Sequence, residues 1–229
     1  MSGIRAAPVT SSVHPVASPD LSRLDWVRRF AGPAALVVGS VLTVAGMALH
    51  VAGDGSPADE ALVRTIEGHL TQWLASHFLL AFGMALVAGG AATAFRVAHG
   101  RGAALTAIGA ATLALGAALM SLGDLAHGAV AYALAGHIDA ATSLAIQEEY
   151  FFQPAIGVIS FGGMLMPVGV LVLGLGLLRS RAVPRWTAIV LLVSPIVISL
   201  GFASGPRMLV LGLPFVVGMA ALGRAIARS

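Results

Sequence analysis

Long apolar stretches separated by short polar connections dominate the chain from residue 31 onward. Each stretch has about 20 residues, which is the length that an α-helix needs to cross about 30 Å of hydrocarbon. Six transmembrane helices are therefore predicted, at roughly 31–53, 72–95, 103–125, 152–178, 186–203 and 207–225. The predicted fold class is an all-α integral membrane protein with about six transmembrane helices in one bundle.

The same pattern sets the limits of the bundle. Residues 1–25 contain three prolines and lack an apolar period, so they are predicted to form a disordered cytoplasmic tail. Residues 26–229 are predicted to form a single transmembrane bundle. An outer segment at about 56–71 begins with a serine, a proline and two acids, and this helix-start pattern predicts an amphipathic helix on the bundle rim. The third apolar stretch stays helical in pattern past Asp124 and ends at Gly136.

Composition agrees with a membrane protein and excludes several kinds of chemistry. Hydrophobic residues make up 58% and charged residues only 10% of the 229 positions, and the mean hydropathy is +0.92, whereas about 25% of a soluble domain is charged. Cysteine is absent, which excludes disulfides, thiolate metal sites and cysteine nucleophiles. All 13 basic side chains are arginine, so a catalytic lysine is excluded as well.

The arginines predict the orientation in the membrane. Eleven of the 13 lie on the side of the two termini, and the exceptions are Arg64 and Arg207. Because basic residues are enriched in cytoplasmic segments, both termini are predicted to be cytoplasmic, in the plasma membrane of a bacterium. The sequence pI is near 10.5, but the arginines are dispersed at helix ends, so no nucleic-acid partner is expected.

Polar residues collect where the apolar stretches meet the predicted outer face. His50 lies near the end of the first stretch, His77 about a turn and a half into the second, and Asp124 and His127 at the end of the third. The i, i+3 spacing of Asp124 and His127 puts a carboxylate and an imidazole on one helix face. Ionisable groups at membrane depth are energetically costly, so this cluster is a functional-site hypothesis.

Two acids and a glutamine lie at the start of the fourth stretch. Glu148 and Glu149 are predicted to open that helix, where the positive end of the helix dipole favours them, and Glu149 shares a face with Gln153. Simpler interpretations apply to some of the polar residues. His69 and His137 are typical amphipathic groups of a membrane interface, and Glu148 is a typical helix cap.

Three classes of function are compatible with such a pocket. His50, His77 and His127 could bind zinc for metal-assisted hydrolysis, although neither His-x-x-x-His nor His-Glu-x-x-His spacing occurs. A buried carboxylic acid could instead donate a proton to an alkene or epoxide of a membrane-dissolved substrate, and aromatic faces would stabilise the carbocation. The third class is non-catalytic, a transporter or an accessory subunit of a membrane complex.

A small, cysteine-free, multi-spanning chain with intramembrane carboxylates, here Asp124, Glu148 and Glu149, resembles the membrane-bound terpene cyclases of microbial meroterpenoid and indole terpenoid pathways. The resemblance covers size and architecture. It implies a cyclisation that begins with protonation of a prenyl alkene or epoxide, needs no metal and depends on acids from different helices. The chain departs from the fungal members in its six predicted spans, since seven are expected for them.

We therefore expect an integral-membrane enzyme that cyclises or isomerises a prenyl-type, lipid-like substrate by acid initiation, without a cofactor or a bound metal. The predicted catalytic residues are Asp124 as proton donor or relay, His127 as its partner, Glu149 as a second acid, and His77. The predicted substrate-binding residues are Trp73, Phe151, Phe152, Gln153 and His50. The three aromatic rings in this set would face the cation. The expected partners are this hydrophobic substrate and membrane lipid.

Overall fold

The computed structural model describes residues 21–51, 60–200 and 205–229. The α-helices in these ranges are α1 (Leu21–Leu49), α2 (Glu60–Gly68), α3 (Leu70–Ala91), α4 (Ala103–Leu134), α5 (Ala140–Phe152), α6 (Pro154–Gly163), α7 (Leu165–Ser180), α8 (Arg185–Leu200), α9 (Met208–Leu211) and α10 (Leu213–Arg228). Two short 3₁₀ helices, Ala92–Val97 and Gly100–Gly102, connect α3 to α4. The prediction of an all-helical fold is confirmed for the described residues.

Four helical segments of the described chain are long and apolar enough to cross a membrane. They are Asp25–Leu49, Leu70–Val97, Gly100–Leu134 and Met208–Arg228. These segments agree with the first, second, third and sixth predicted spans. Their length and apolar character are those of helices in a membrane protein.

The fourth and fifth predicted spans correspond to shorter helices. α7 and α8 have 16 residues each, or about 24 Å of helix, which is less than the hydrocarbon thickness of about 30 Å. The fourth predicted span is also divided, because α6 ends at Gly163 and α7 begins at Leu165. Pro167 accounts for this break, since in a continuous helix its ring would collide with the carbonyl of Gly163.

The N-terminal boundary and the outer segment differ in part from the prediction. Residues 21–25, which the sequence pattern assigns to the tail, belong to α1, and the rest of the tail lies outside the described residues. The predicted amphipathic segment at about 56–71 corresponds to α2, which buries Val63 and Ile66. Its predicted start also lies outside the described residues.

The main helices run antiparallel to their neighbours. Each end of the bundle therefore combines the beginnings of some helices with the ends of others, and the two ends carry different residues. We call one the arginine end, which consists of the beginning of α1, the α3–α4 connection, the α7–α8 turn and the end of α10. It carries Arg29, Arg96, Arg101, Arg179, Arg185, Arg224 and Arg228, and Arg29 Nε donates to the carbonyl of Ala227 over 2.7 Å. We call the other the histidine end, which consists of the end of α1, the beginning of α3, the end of α4 and helix α5.

Glycines spaced seven residues apart form the contact between α1 and α3. Gly39 and Gly46 of α1 face α3, Gly32 faces Thr93 just beyond the end of α3, and Gly83 and Gly90 of α3 face α1. A methyl group added to Gly39 would lie 2.7 Å from the carbonyl oxygen of Gly83, so the two backbones touch without intervening side chains. A seven-residue period keeps one face of each helix toward its partner, and small residues on that face permit close approach in a membrane.

The same seven-residue period recurs between α4 and α7. Gly102, Gly109 and Gly116 pack against the backbone of α7 or its end, and Gly169 and Gly176 of α7 pack against the backbone of α4. A methyl group at any of these five positions would overlap backbone atoms of the partner helix. We call the α1–α3 and α4–α7 contacts the glycine seams. They hold the helices whose ends carry the polar residues.

Candidate functional site

Trp73 is the centre of a cluster of rings at the histidine end. Only 2% of its surface is exposed, and its ring centroid lies 4.1 Å from that of His77, 5.0 Å from that of His50 and 5.3 Å from that of His127. The His77 ring lies 4.9 Å from His50 and 5.3 Å from His127. The structure thus brings together three predicted histidines and the predicted tryptophan, from the ends of α1, α3 and α4.

Hydrogen bonds and one glycine fix the positions of Trp73 and His77. Trp73 Nε1 donates to the carbonyl of Gly128 on α4 over 3.3 Å. His77 Nδ1 lies 2.9 Å from the carbonyl oxygen of Trp73. Because a carbonyl only accepts, Nδ1 carries a proton, and in the neutral imidazole Nε2 keeps its lone pair. A side chain at position 128 would collide with this imidazole, since a Cβ there would lie 2.5 Å from His77 Cβ. Gly128 is therefore required for the His77 ring to occupy this place.

Asp124 and His127 line a cavity of about 200 Å³ on the side of α4 that faces α5 and α6. We call it the acid cavity; its remaining lining residues are Met120, Gly123, Ala126, Tyr150, Ile156 and Ile159. Most of this wall is apolar. The two predicted catalytic residues on α4 therefore meet a space that suits an apolar molecule.

Two polar atoms of the predicted site are buried without a hydrogen-bond partner among the described residues. They are Asp124 Oδ2 and His50 Nδ1. A buried polar atom that lacks a partner is costly, and in native proteins such atoms are few and often have a catalytic or ligand-binding role. Their presence at one end of the bundle supports the hypothesis that this end has a function besides stability.

The second predicted acid does not line the acid cavity. Glu149 is exposed, and so is Gln153. The predicted shared face of these two residues is wrong, because α5 ends at Phe152 and Gln153 follows it with extended backbone. The sequence pattern places Glu148 and Glu149 in the first turn of the fourth span, and this is corrected by the structure. α5 is a separate helix that begins at Ala140, so both acids lie near its end, where the helix dipole no longer favours a carboxylate.

The two predicted phenylalanines have different outcomes. Phe152 is 87% exposed, so its ring does not form a wall of the acid cavity. The side chain of Phe151 lies outside the described part of the structure. Trp73, the third aromatic residue predicted to face the cation, packs against the imidazoles instead and does not line the acid cavity.

Tyr150 is a cavity residue that the sequence pattern did not single out. Ser143, Gln147 and Tyr150 lie at positions i, i+4 and i+7 of α5, and they form its inner face. Gln147 Nε2 donates to Ser143 Oγ on this face over 3.2 Å. Burial raises the pKa of Tyr150 above its ordinary value, so its phenol is neutral at physiological pH. The 3.6-residue period of α5 is the signal that would have found it.

A second cavity of about 200 Å³ lies next to the first and shares Met120 with it. Five of the eight methionines of the chain line it, namely Met47, Met84, Met120, Met164 and Met166. We call it the methionine cavity. Methionine side chains are flexible and adapt to irregular apolar ligands, so this cavity can accept hydrocarbon of different shapes.

The ring cluster is not arranged as a metal site. Among the side chains that the structure describes, no three His, Asp or Glu residues form a group that could hold a metal ion. The indole of Trp73 lies against all three imidazoles and fills part of the space between them. The geometry therefore does not favour the zinc-hydrolase hypothesis.

A wider open groove of about 640 Å³ lies at the protein surface between α2 and the beginning of α5. Its charged residues have structural partners. Arg64 forms an ion pair with Glu60 over 2.8 Å. Asp139 caps α5, because the Thr142 backbone N–H and hydroxyl donate to its carboxylate over 3.0 and 2.8 Å, and these bonds lower the pKa of Asp139. The charged side chains Arg64, Glu60 and Asp139 of this groove thus have a structural role in α2 and α5.

No protein-family model, curated protein or solved structure matches this chain. Its function has to be inferred from the chemistry of the histidine end.

Proposed function

We propose that the chain is a membrane enzyme in which Asp124 transfers a proton to a prenyl-type, lipid-like substrate and thereby starts a cyclisation or isomerisation. The observation that carries the proposal is the Asp124 carboxyl group, whose Oδ2 is buried without a hydrogen-bond partner in the described residues and which lines an apolar cavity. A carboxyl group in apolar surroundings favours its neutral form. The neutral acid is the form that can donate a proton.

The proposed reaction needs only a proton that is given and returned. The Asp124 proton forms a C–H bond with one carbon of a substrate double bond, and the π electrons of that double bond supply the electron pair. A second double bond of the substrate then attacks the cationic carbon and closes a ring. Loss of a proton from the new cation to the carboxylate restores the acid, so the product is an isomer of the substrate.

The histidines supply the means to return or relay that proton. His127 lines the acid cavity together with Asp124, and its ring contacts His77. In its neutral form His77 has an unprotonated Nε2, because its Nδ1–H donates to the Trp73 carbonyl. Tyr150 lies across the cavity from α4, and its ring face can stabilise a nearby cation.

The shape of the two cavities suits an extended apolar substrate. Met120 lines both, and displacement of its flexible side chain would let a substrate with its reacting double bond at Asp124 extend its tail into the methionine cavity. An apolar cavity of about 150 Å³ accepts a molecule such as benzene. Two adjoining cavities of about 200 Å³ each therefore suit a chain of a few isoprene units.

The orientation in the membrane is part of the proposal. We propose that the chain spans a bacterial plasma membrane six times. The four long helices form four spans, α6 and α7 together form a fifth, and α8 forms the sixth. Both termini are then cytoplasmic. The distribution of arginines supports this orientation. It assigns the histidine end to the outer face. The mechanism resembles that of membrane-bound terpene cyclases, which also use acids and no metal.

The test is incorporation of deuterium from solvent. Purified protein in liposomes is incubated in deuterated buffer with farnesol and geranylgeraniol, whose double bonds would retain the transferred deuteron as C–D, and the lipids are analysed by mass spectrometry. We expect deuterium in a cyclised or isomerised product with the wild type, and at least a hundredfold less with Asp124→Asn, since general acids contribute about 10²–10⁴-fold. Asp139→Asn is the matched control, because Asp139 is an exposed helix cap, and it should react normally.

Two outcomes would refute the proposal. Deuterium incorporation that persists in Asp124→Asn would exclude Asp124 as the proton donor. A wild-type protein that changes none of these lipids but retains a partner protein through purification, and loses it in Asp124→Asn, would identify the histidine end as a docking feature of an accessory subunit.

A further inference from the structure

A groove of about 510 Å³ lies at the arginine end, between the beginning of α8 and the last three turns of α10. Pro184, Trp186 and Thr187 form its α8 side, and the α10 side consists of small apolar residues with Arg224 and Arg228. Trp186 is 51% exposed, so its indole lies at the exposed edge of the groove. The groove is far from the acid cavity, which lies at the other end of the bundle.

The α10 side of the groove changes from apolar to basic along one stripe. Val217, Ala221, Arg224 and Arg228 lie at i, i+4, i+7 and i+11, which places them on one helix face over about 16 Å. The apolar half points toward the middle of the bundle and the basic half toward its end. Within the described residues, neither arginine forms an ion pair with a carboxylate, so both guanidinium groups are available to an anion.

Thr187 gives a second, independent indication of a ligand. It lines the groove and is only 1% exposed, yet its Oγ1 has no hydrogen-bond partner in the part of the chain that the structure describes. It also lies in the first turn of α8, where the positive end of the helix dipole favours an anion. A buried hydroxyl without a partner beside two arginines matches an oxygen-rich anionic group.

We propose that this groove binds an anionic phospholipid, whose phosphate contacts Arg224, Arg228 and the Thr187 hydroxyl and whose acyl chain lies along Val217 and Ala221. The occupant is a lipid rather than a free phosphate, because half of the groove is apolar and Trp186 lies at its exposed edge, as interfacial tryptophans do. Basic pockets between helices at the cytoplasmic side of membrane proteins bind anionic headgroups in this way. The inference rests on the proposed orientation of the chain, but it is independent of the reaction proposed for Asp124.

The experiment uses quenching of Trp186 fluorescence by brominated lipids. The chain has three tryptophans. In a Trp26→Phe background, Trp186 is the exposed tryptophan that the lipids can quench. Trp73 is buried at the other end of the bundle and serves as an unquenched internal reference. This protein is placed in phosphatidylcholine nanodiscs that contain increasing fractions of brominated phosphatidylglycerol or brominated phosphatidylcholine. The ratio of the two apparent affinities measures the preference for the anionic headgroup.

We expect the anionic lipid to be preferred by about 25-fold, since each basic side chain near the headgroups contributes about fivefold. The Arg224→Gln, Arg228→Gln double variant should show no preference, and Thr187→Val, which removes only the hydroxyl, should lower it severalfold. Arg96→Gln with Arg101→Gln is the matched control, because it removes the same charge from the same end outside the groove and should keep the preference. Millimolar inorganic phosphate should not displace the lipid.

Three results would overturn the proposal. Equal quenching of the wild type by both lipids would show that the groove does not recognise the headgroup. A preference that survives in the Arg224 and Arg228 double variant would assign it to another surface. Displacement by inorganic phosphate alone would mean that the ligand is a free anion. The wild-type ratio and the Thr187→Val ratio decide the question even if the double variant does not fold.

Discussion

Helices α1, α3 and α4 each contain two regions with opposite packing. In the glycine seams, the helices touch backbone to backbone, and a single added methyl group would overlap the partner. At the histidine end, the same helices carry bulky rings and polar groups, and atoms such as Asp124 Oδ2 and His50 Nδ1 are buried without partners in the described structure. The seams also bury the hydroxyls of Thr43 and Thr106 without described partners, but an unpartnered carboxyl group costs more than a hydroxyl. The seams therefore specify how the helices associate, while the histidine end accepts a larger energetic cost that stability alone does not explain.

Gly128 is where the two regions meet. It follows the seam of α4 toward the histidine end, but here the absence of a side chain makes room for the His77 ring rather than for a backbone. Its carbonyl accepts the hydrogen bond from Trp73. One residue thus joins close helix packing to the geometry of the proposed site.

The largest effect is expected at Trp73. Trp73→Ala should lower the free energy of unfolding by about 3–5 kcal/mol, because it removes a large buried ring that contacts three imidazoles. Trp73→Phe keeps an aromatic ring and loses mainly the hydrogen bond to Gly128, so it should cost far less. Denaturant unfolding in detergent micelles measures both. A small effect of Trp73→Ala would mean that the ring cluster is not packed as described.

The next effect is expected in the α4–α7 seam. Gly109→Ala should lower the free energy of unfolding by about 2–3 kcal/mol, because the methyl group would overlap the backbone of Leu173. Gly89→Ala is the control, since a methyl group there meets open space, and it should raise stability by about 0.5–1 kcal/mol. Thermal unfolding should separate the two variants by several degrees, and equal values would contradict the seam.

Gly128 and Gly123 provide a sharper pair on one helix. Gly128→Ala should displace the His77 ring and change the fluorescence of Trp73. Gly123→Ala should change little, because its methyl group would meet only Ile159 Cγ2, at 3.3 Å. The Trp26→Phe, Trp186→Phe background isolates the Trp73 signal. Unchanged Trp73 emission in Gly128→Ala would show that Gly128 does not hold His77 in place.

The smallest effect is expected outside the bundle, at Asp139. Asp139→Ala should lower the melting temperature slightly, because α5 loses the cap that Thr142 stabilises. The folded pKa of Asp139 lies below the ordinary value of 3.8, so its contribution is present above that value and is lost as the pH falls through the folded pKa. The difference between wild type and variant should therefore disappear on acidification below about pH 4, and a difference that grows instead would contradict this cap.

Sequence periodicity was sufficient for the long helices but not for the contacts between them. The four long apolar segments agree with predicted spans, because their length and composition are local properties. The seven-residue spacing of the seam glycines, at 32, 39 and 46 and at 102, 109 and 116, is visible in the sequence. Which helices these glycines bring together, however, depends on the tertiary fold. The break between α6 and α7 follows from Pro167.

The site was predicted in part for the same reason. The rings of His50, His77 and His127 lie together, and Asp124 lines one cavity with His127, since each lies near a helix end that the span pattern already located. Glu149 was misplaced because α5 was taken for the start of the fourth span, and only the Asp139 cap and the buried period of Ser143, Gln147 and Tyr150 reveal the separate helix. The position of the Trp73 ring depends on how α3 is rotated against α4, which no local pattern specifies.

The measurement that tests the role of Asp124 most directly compares stability with turnover in Asp124→Asn. Because Oδ2 makes no hydrogen bond with a described residue, the amide should leave the melting temperature unchanged or raise it, while deuterium incorporation into a prenyl substrate falls at least a hundredfold. Glu149→Gln, at an exposed position, should change neither quantity. Full deuterium incorporation in Asp124→Asn, or loss of incorporation that only follows unfolding of the variant, would contradict the proposal that Asp124 donates the proton.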